Sequence, residues 1–253
     1  MNLIDRSLNY GRHHIEHFLR AASPYQRVLD IGAGGGDDLA LARRAQPAAE
    51  LHAIEVFPPS VQRLTQHGIH VHPIDLERER FPLDDGAVDV VIANQVLEHT
   101  KEIFWIFHEV TRVLRVGGSF VIGVPNLAAL HNRLLLLTGR QPSPLKNDSA
   151  HVRGYTRRDL LRFVDRIFPG GYRLANFGGS NFYPFPPALA RPLAALLPGM
   201  AWGIFLRLEK VREYRREFVE YPARERLETN FYLGEAPPRH PRESGDPGSP
   251  ARC

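Results

Sequence analysis

Short apolar runs alternate with segments of helical periodicity through the first half of this 253-residue chain, and this alternation constrains the fold most. The apolar runs predict strands at residues 27–31, 51–55, 69–73, 88–93 and 119–124. Helical spacing is clearest at residues 37–45, 59–66 and 101–115. Strands that alternate with helices in this way are typical of βαβ units around a parallel sheet. We therefore predict an α/β fold with a doubly wound, mainly parallel sheet.

Charge and cysteine content exclude several other classes of protein. The net charge is only +4 and like charges do not cluster in runs, so we expect no nucleic-acid partner. The single cysteine, Cys253, excludes an internal disulfide and a cysteine-based zinc site. The N-terminal residues lack the apolar core of a signal peptide. We expect a cytoplasmic protein, with association at a membrane surface left open.

A glycine-rich turn follows the first predicted strand. The sequence there is Asp30-Ile31-Gly32-Ala33-Gly34-Gly35-Gly36-Asp37, and glycines at such a turn let a ligand approach the backbone closely. A dinucleotide fingerprint, G-x-G-x-x-G, would require glycine where Asp37 stands. A carboxylate at the start of the following helix would also repel a pyrophosphate. Asp30, just before the glycines, instead favours a ligand that carries an ammonium group.

Acidic residues also follow the next two predicted strands. Glu55 closes the second strand, a position from which a carboxylate can accept both hydroxyls of a ribose. Asp75 follows the third strand, a position from which its carboxylate can accept a hydrogen bond from an adenine amino group. Parallel strands end at one edge of their sheet, so Asp30, Glu55 and Asp75 together indicate a single ligand site.

At these motifs the chain resembles the class I S-adenosylmethionine-dependent methyltransferases of the type 11/12 group. The similarity covers residues 27–126 and is carried by the blocks VLDIGAGGGD, HAIEVF, PIDLERERFPLDDGAVDVVIANQVLEHTKE and FHEVTRVLRVGGSFVIGVPN. The resemblance implies a Rossmann-like sheet of seven strands. It also implies S-adenosylmethionine as the cofactor and a small-molecule or lipid-linked methyl acceptor.

The resemblance further assigns cofactor-binding residues. It places the methionine moiety against Asp30, Gly32, Ala33, Gly34 and Asn94. It assigns the ribose and adenine to Glu55, Val56, Asp75 and the backbone amide of Leu76. On the amino-terminal helix, Tyr10 and Arg12 would close over the site.

Candidate catalytic residues come from two further motifs. His99 follows the fourth strand, and residues 151–156, HVRGYT, resemble the H-x-R-x-Y-T block of many family members. We predict His99, His151 and Tyr155 as catalytic residues, and a general base is needed only if the acceptor is a hydroxyl or a similarly weak nucleophile. For His99, a structural role in packing its loop fits the sequence equally well.

We predict no metal ion at this position. Some quinone-pathway members of the wider family have a Glu-x-x-Glu-His metal cluster after the fourth strand. In this chain the first position is Gln95, which leaves only Glu98 and His99. A neutral amide is a poor replacement for a carboxylate in a site for a hard cation.

The C-terminal half departs from the family's core. We predict strands at 172–177 and 229–233 and, between them, an apolar segment that leads into a charged helix, at residues 184–226. This helical insertion before the last strand would cap the acceptor pocket, although a patch resting on a membrane, a homodimer interface and extra core packing also fit it. Residues 1–234 would form one domain, and 235–253 a disordered tail.

Two other functions stay open at this point. A nicotinamide-dependent oxidoreductase is one, because Glu55 would serve the ribose of that cofactor equally well, although Asp30 and Asp37 argue against it. A non-catalytic module that binds S-adenosylmethionine is the other, because methyl transfer requires no fixed set of catalytic side chains.

Overall fold

A seven-stranded sheet forms the centre of the computed structural model, which describes residues 5–227 and 230–234. The strands are β1 (Arg27–Ile31), β2 (Glu50–Ile54), β3 (His70–His72), β4 (Val88–Asn94), β5 (Leu114–Pro125), β6 (Tyr172–Ser180) and β7 (Gly203–Lys210). Their order is β3-β2-β1-β4-β5-β7-β6, and β7 runs antiparallel to both of its neighbours. The predicted Rossmann-like, mainly parallel sheet of seven strands is confirmed.

Helices connect these strands and cover the sheet. Within the described residues they are α1 (Arg12–Ala22), α2 (Asp37–Ala45), α3 (Pro58–Gln66), α4 (Ile103–Val113), α5 (Leu130–Leu137), α6 (Arg157–Ile167), α7 (Pro187–Leu196) and α8 (Glu217–Arg224). Short 3-10 turns precede α1, at Arg6–Tyr10, and follow β4, at Leu97–His99. None of the helices in this part of the chain combines the length and the apolarity that crossing a bilayer requires.

A hydrophobic core lies on each face of the sheet. Phe18 of α1 and Leu39 of α2 belong to one core, and Phe107 of α4 packs against Phe218 of α8 in the other. With both faces covered, the central strands can be apolar on both sides, which explains continuous runs such as VDVVIA in β4. Strand order reverses between β1 and β4, where doubly wound sheets bind ligands at the carboxyl ends of the strands.

The prediction for residues 184–226 is wrong in its secondary structure. The segment begins with α7 and ends with α8, but between them lies β7, which pairs with β5 and β6 and completes the sheet. Its side chains alternate, so that Ile204 belongs to one core and Phe205 to the other. Glu209 of β7 accepts a 2.7 Å hydrogen bond across the strands from Arg173, which a residue in the predicted charged helix would not make.

The predicted strand at 229–233 is also wrong over its described part, because residues 230–233 form no strand. The position of the seventh strand in the sheet is taken by β7. The predicted tail, residues 235–253, lies outside the described residues, and the extent of the domain stays a prediction.

Candidate functional site

A cavity of about 560 Å³ opens at the carboxyl ends of β1 and β4. Its walls come from the glycine turn after β1, the loop after β4, the 3-10 turn before α1 and the loop before α6. Of the residues predicted from the sequence, it is lined by Asp30, Gly32, Ala33, Gly34, Asn94, His99, His151, Tyr10 and Arg12. Residues far apart in the chain therefore meet at the switch point of the sheet.

The glycine turn is shaped for a ligand at one position in particular. Gly32 and Gly34 both have left-handed backbone, with φ of 68° and 52°. A Cβ at Gly32 would lie 2.6 Å from a methyl group of Val96, so this glycine is required by packing. A Cβ at Gly34 would meet no described atom within 4 Å. Gly34 thus borders open cavity space that a side chain would fill.

Buried carboxylates stand beside this turn. Asp30 at the end of β1 is only 3% exposed, and Asp38 in the first turn of α2 only 9%. Burial, and then the charge of Asp38, raises the pKa of Asp30 well above its usual range. Burial also raises the pKa of Asp38, although Asn94 donates a 2.8 Å hydrogen bond to it. Asp30 has no ion pair among the described residues, and the nearest cation to Asp38 is Arg12 at 3.6 Å, so these two buried acids form a site for a cationic group.

Asp38 was missed by the sequence reading, which weighed only its neighbour Asp37. The sequence signal for Asp38 is its position in the first turn of α2, directly after Asp37 and two residues after the last glycine of the turn. The other Asp38 oxygen, Oδ1, is buried and has no hydrogen-bond partner among the described residues. Arg12 of α1 reaches over this point and lies 2.9 Å from Asp37 Oδ2 and 3.6 Å from Asp38 Oδ1.

Glu55 supports the turn from behind. Its carboxylate accepts hydrogen bonds from the backbone amides of Gly34 at 2.8 Å, Val56 at 2.9 Å and Phe57 at 2.8 Å. A carboxylate can accept about four hydrogen bonds, which leaves about one for a ligand. Glu55 therefore fixes the conformation of the glycine turn in addition to any ligand contact.

The remaining residues predicted to bind the cofactor do not line this cavity. Val56 is exposed, and Leu76 is half-buried against the core beneath α4. Asp75 is exposed, and its carboxylate accepts a 2.9 Å hydrogen bond from the backbone amide of Glu77. They follow β2, which neighbours β1, and β3, which neighbours β2, and so lie at the same edge of the sheet. Their contacts with a nucleoside stay predictions.

A second polar group, Glu98 with His99 and His151, lies in the same cavity. The ligand atoms of these side chains all lie within 4.8 Å of one another, and the two imidazole rings meet edge to face at 4.7 Å. Glu98 is 1% exposed, and its Oε2 has no hydrogen-bond partner within the described part of the chain. Burial raises the pKa of Glu98 to about 7. Burial and then the neighbouring His99 lower the pKa of His151.

This group has a composition that a divalent cation can use, because it offers one carboxylate and two imidazoles. The expectation of no metal rests on the residues of the loop after β4 alone. In the structure, His151 from a distant segment joins Glu98 and His99 of that loop. That expectation stays a prediction. In the sequence, Glu98 stands out only as the remnant of a metal motif, because its burial depends on contacts across the fold.

Tyr155 does not reach the cavity. It is buried, burial raises its pKa, and its hydroxyl donates a 3.1 Å hydrogen bond to the Leu97 carbonyl oxygen. The backbone amides of Val152 and Arg153 donate to the Glu98 carbonyl oxygen. The H-x-R-x-Y-T block thus fastens its loop to the 3-10 turn after β4, and this positions His151 beside His99.

Trp202 and Gln95 complete the wall on this side. Trp202 directly precedes β7, and its ring lies 5.9 Å from that of Tyr183. Gln95 has left-handed backbone with φ of 58°, uncommon for a residue other than glycine. Its Nε2 is buried without a partner among the residues described. The polar group therefore has an aromatic residue and a free amide beside it.

Comparison with known proteins gives the following similarities. Residues 29–122 match the profile of the family described as "Methyltransferase domain". A probable S-adenosylmethionine-dependent methyltransferase of Mycobacterium tuberculosis is 29% identical over 192 residues, which cover 67% of this chain and 66% of that protein. A malonyl-[acyl-carrier protein] O-methyltransferase of Methylococcus capsulatus is 32% identical over 110 residues, covering 42% of this chain and 40% of that protein. The chain thus spans less than two thirds of the length of these relatives.

The fold is shared with solved structures at low sequence identity. A SAM-dependent methyltransferase from Archaeoglobus fulgidus superposes with a TM-score of 0.53 at 16% identity, over 79% of this chain and 94% of that one. At this identity the likeness establishes a common fold.

Proposed function

Because this chain belongs to the class I S-adenosylmethionine-dependent methyltransferases, we propose that it transfers the methyl group of S-adenosylmethionine to a hydroxyl of a small-molecule acceptor. The family assignment made from the sequence motifs is confirmed by the matched domain. The choice of a hydroxyl is carried by one observation: Glu98, a buried carboxylate with one oxygen unpaired among the described residues, shares the cavity with the acids of the glycine turn.

The turn side of the cavity fits the cofactor. Asp30 and Asp38 would receive the ammonium group of the methionine moiety, which offsets the cost of burying their charges beyond what Arg12 supplies to Asp38. Gly34 leaves the space along which that moiety would lie. The same acids would repel the pyrophosphate of a nicotinamide cofactor, and this argues against the oxidoreductase alternative.

The second side of the cavity fits an acceptor that must lose a proton. When bound, S-adenosylmethionine supplies an activated methyl group whose transfer breaks the carbon–sulfur bond and leaves the electron pair on sulfur. Glu98 would accept the hydroxyl proton of the acceptor, and His99 and His151 would accept hydrogen bonds from other donor groups of the same molecule and so orient it. A carboxyl with a pKa of about 7 is suited to this role at neutral pH, because it is partly ionised and also basic enough to hold the proton.

The imidazoles have a defined orientation for this purpose. His99 Nδ1 lies 3.3 Å from the Ala150 carbonyl oxygen, and His151 Nδ1 lies 3.1 Å from that of Pro144. Each carbonyl oxygen can only accept, so a neutral imidazole there donates from Nδ1. Both rings then keep Nε2 free as an acceptor for the substrate.

The proposal can be tested with radiolabelled S-adenosylmethionine and matched acceptors. We expect methylation of a metabolite extract, and within matched pairs we expect hydroxyl compounds to be methylated and their O-methyl ethers to be inert. We expect Glu98→Gln to lower kcat by about 10²–10⁴-fold while S-adenosylhomocysteine still raises the Tm. Labelled product confined to amines or carbon acids would contradict hydroxyl transfer. A Tm raised by NADH and unaffected by S-adenosylhomocysteine would contradict the methyltransferase itself.

A further inference from the structure

The helices α5 and α7 expose leucines to solvent. The six residues, hereafter the leucine surface, are Leu134, Leu136 and Leu137 of α5, Leu189 and Leu196 of α7, and Leu197 directly after α7. Leu137 is 82% exposed and Leu196 is 77% exposed. Single exposed leucines need no explanation, but six on or beside two helices that pack against one small cluster favour contact with something apolar.

The two helices belong to one small packing unit. Ala190 and Ala194 of α7 form a cluster with Phe182 and Ala201, and Leu130 of α5 packs against that same cluster. This cluster is separate from the two cores that cover the sheet. The small buried alanines turn inward, and the larger leucines lie on the outer side.

The charge around this unit has one sign. Residues 126–147 and 174–208 contain no aspartate or glutamate, although acidic and basic residues alternate through most of the chain. Exposed Arg133 of α5 lines a groove of about 570 Å³ together with Arg157 and Arg158 of α6. The one acid among the described residues that line that groove, Asp159, accepts a 2.8 Å hydrogen bond from the Thr156 hydroxyl, and its backbone amide donates a 3.1 Å hydrogen bond to the same hydroxyl oxygen. The groove is therefore basic and lies beside α5.

We propose that the leucine surface and the arginine groove dock this protein on an anionic lipid bilayer. Leucines that enter the acyl boundary and arginines that meet lipid phosphates are the pairing by which helices bind such surfaces. A protein partner would need acidic side chains and an apolar face at the same spacing as the arginine groove and the leucine surface. An anionic bilayer offers negative charge and apolar chains at every point of its surface.

Docking at this surface would bring the cavity close to an amphiphilic acceptor in the bilayer. This step alone rests on the proposed function. His131 of α5 lies edge to face with Tyr183 at 5.6 Å, and Tyr183 contacts Trp202, which lines the cavity. Aromatic contacts thus join the docking unit to the acceptor side of the site.

The test is flotation of the full chain with vesicles of phosphatidylcholine alone and of phosphatidylcholine mixed with phosphatidylglycerol. We expect binding to the mixed vesicles that weakens as salt is added. Arg133→Ala combined with Arg158→Ala should weaken that binding by about 25-fold, from about fivefold for each basic residue near the surface. Leu137→Ser combined with Leu196→Ser should reduce binding to both vesicle types by about tenfold or more.

The matched control is Val116→Ser combined with Val211→Ser. These valines are 38% and 41% exposed, at the opposite ends of β5 and β7 from the cavity, and we expect their variant to bind like the parent chain. Failure of the parent chain to float at low salt, or equal flotation of the leucine variant, would overturn the proposal. So would a dimer that only the leucine variant splits on size-exclusion chromatography, because the surface would then be an interface between copies. The rise in Tm with S-adenosylhomocysteine is measured on every variant, so that a failure of docking stays distinct from a failure of cofactor binding.

Discussion

Replacing Glu98 by glutamine should stabilise the protein at alkaline pH while it removes activity. The Glu98 side chain is 1% exposed and has an unpaired oxygen within the described residues, so the folded state disfavours its ionised form. Its pKa is raised from 4.5 to about 7. A difference of one pKa unit corresponds to about 1.4 kcal/mol. The free energy of unfolding is therefore lower by about 3 kcal/mol once Glu98 is ionised in both the folded and the unfolded state.

The sign follows from proton binding. Between pH 4.5 and about 7 the folded state holds a proton that the unfolded state has lost. Stability contributed by this group therefore falls as the pH rises through that window, and the loss is complete above it. Glutamine is neutral at every pH and nearly the same shape, so the variant escapes this loss.

The measurement is urea unfolding of both proteins on either side of the window. We expect the Glu98→Gln variant to exceed the parent chain by about 3 kcal/mol above pH 8, with the difference shrinking as the pH falls toward 5. The matched control is Glu102→Gln. Glu102 is equally buried, but it lies near Lys101 and Arg78 and accepts a hydrogen bond from the Tyr232 amide, so its substitution should destabilise. A less stable Glu98→Gln variant above pH 8 would show that Glu98 is ionised and paired, and would refute the reasoning.

Other predictions address the two sides of the cavity. Gly34→Val should abolish binding of S-adenosylhomocysteine in calorimetry while circular dichroism still shows a folded protein, because the side chain would enter open cavity space; unchanged affinity would count against the cofactor assignment. Asp75→Ala should weaken that binding by about 1–2 kcal/mol, the size of one hydrogen bond, and an unfolded variant would mean that Asp75 is structural. Trp202→Ala should leave cofactor affinity intact and raise the KM for the acceptor, a split that steady-state kinetics will detect. Treatment with EDTA should leave turnover unchanged, and loss of turnover restored by a divalent cation would identify a metal at Glu98, His99 and His151.

The sequence predicts the parallel half of this fold well because that half is built from local signals. The turn from Gly32 to Gly36 and the apolar run of β4 can each be recognised from a few consecutive residues. Asp30 can be predicted to lie at the site because it directly precedes that turn. Parallel neighbours then follow from the connecting helices.

The antiparallel end of the sheet was misread because its signal is ambiguous. Residues 203–210 alternate with the period of a strand, but Leu206 and Glu209 also fit the spacing of a helix. Pairing with β5, more than 70 positions earlier, decides between them. The same limit hides the burial of Glu98, which depends on a loop that Tyr155 holds in place.

The ion pair of Arg12 with Asp37 and Asp38 makes the amino-terminal helix a competitor of whatever cation enters the cavity. An ammonium group that takes up Asp38 weakens the hold of this carboxylate on the guanidinium, so occupancy of the site and attachment of α1 oppose each other. Thermodynamic linkage makes this opposition reciprocal, because attachment of α1 lowers the affinity for the cation by the same factor by which the bound cation weakens that attachment. The strength of the ion pair therefore determines how far closing the entrance weakens ligand binding. A demethylated cofactor, which keeps its ammonium group, would dissociate most readily when Arg12 pairs again with Asp37 and Asp38.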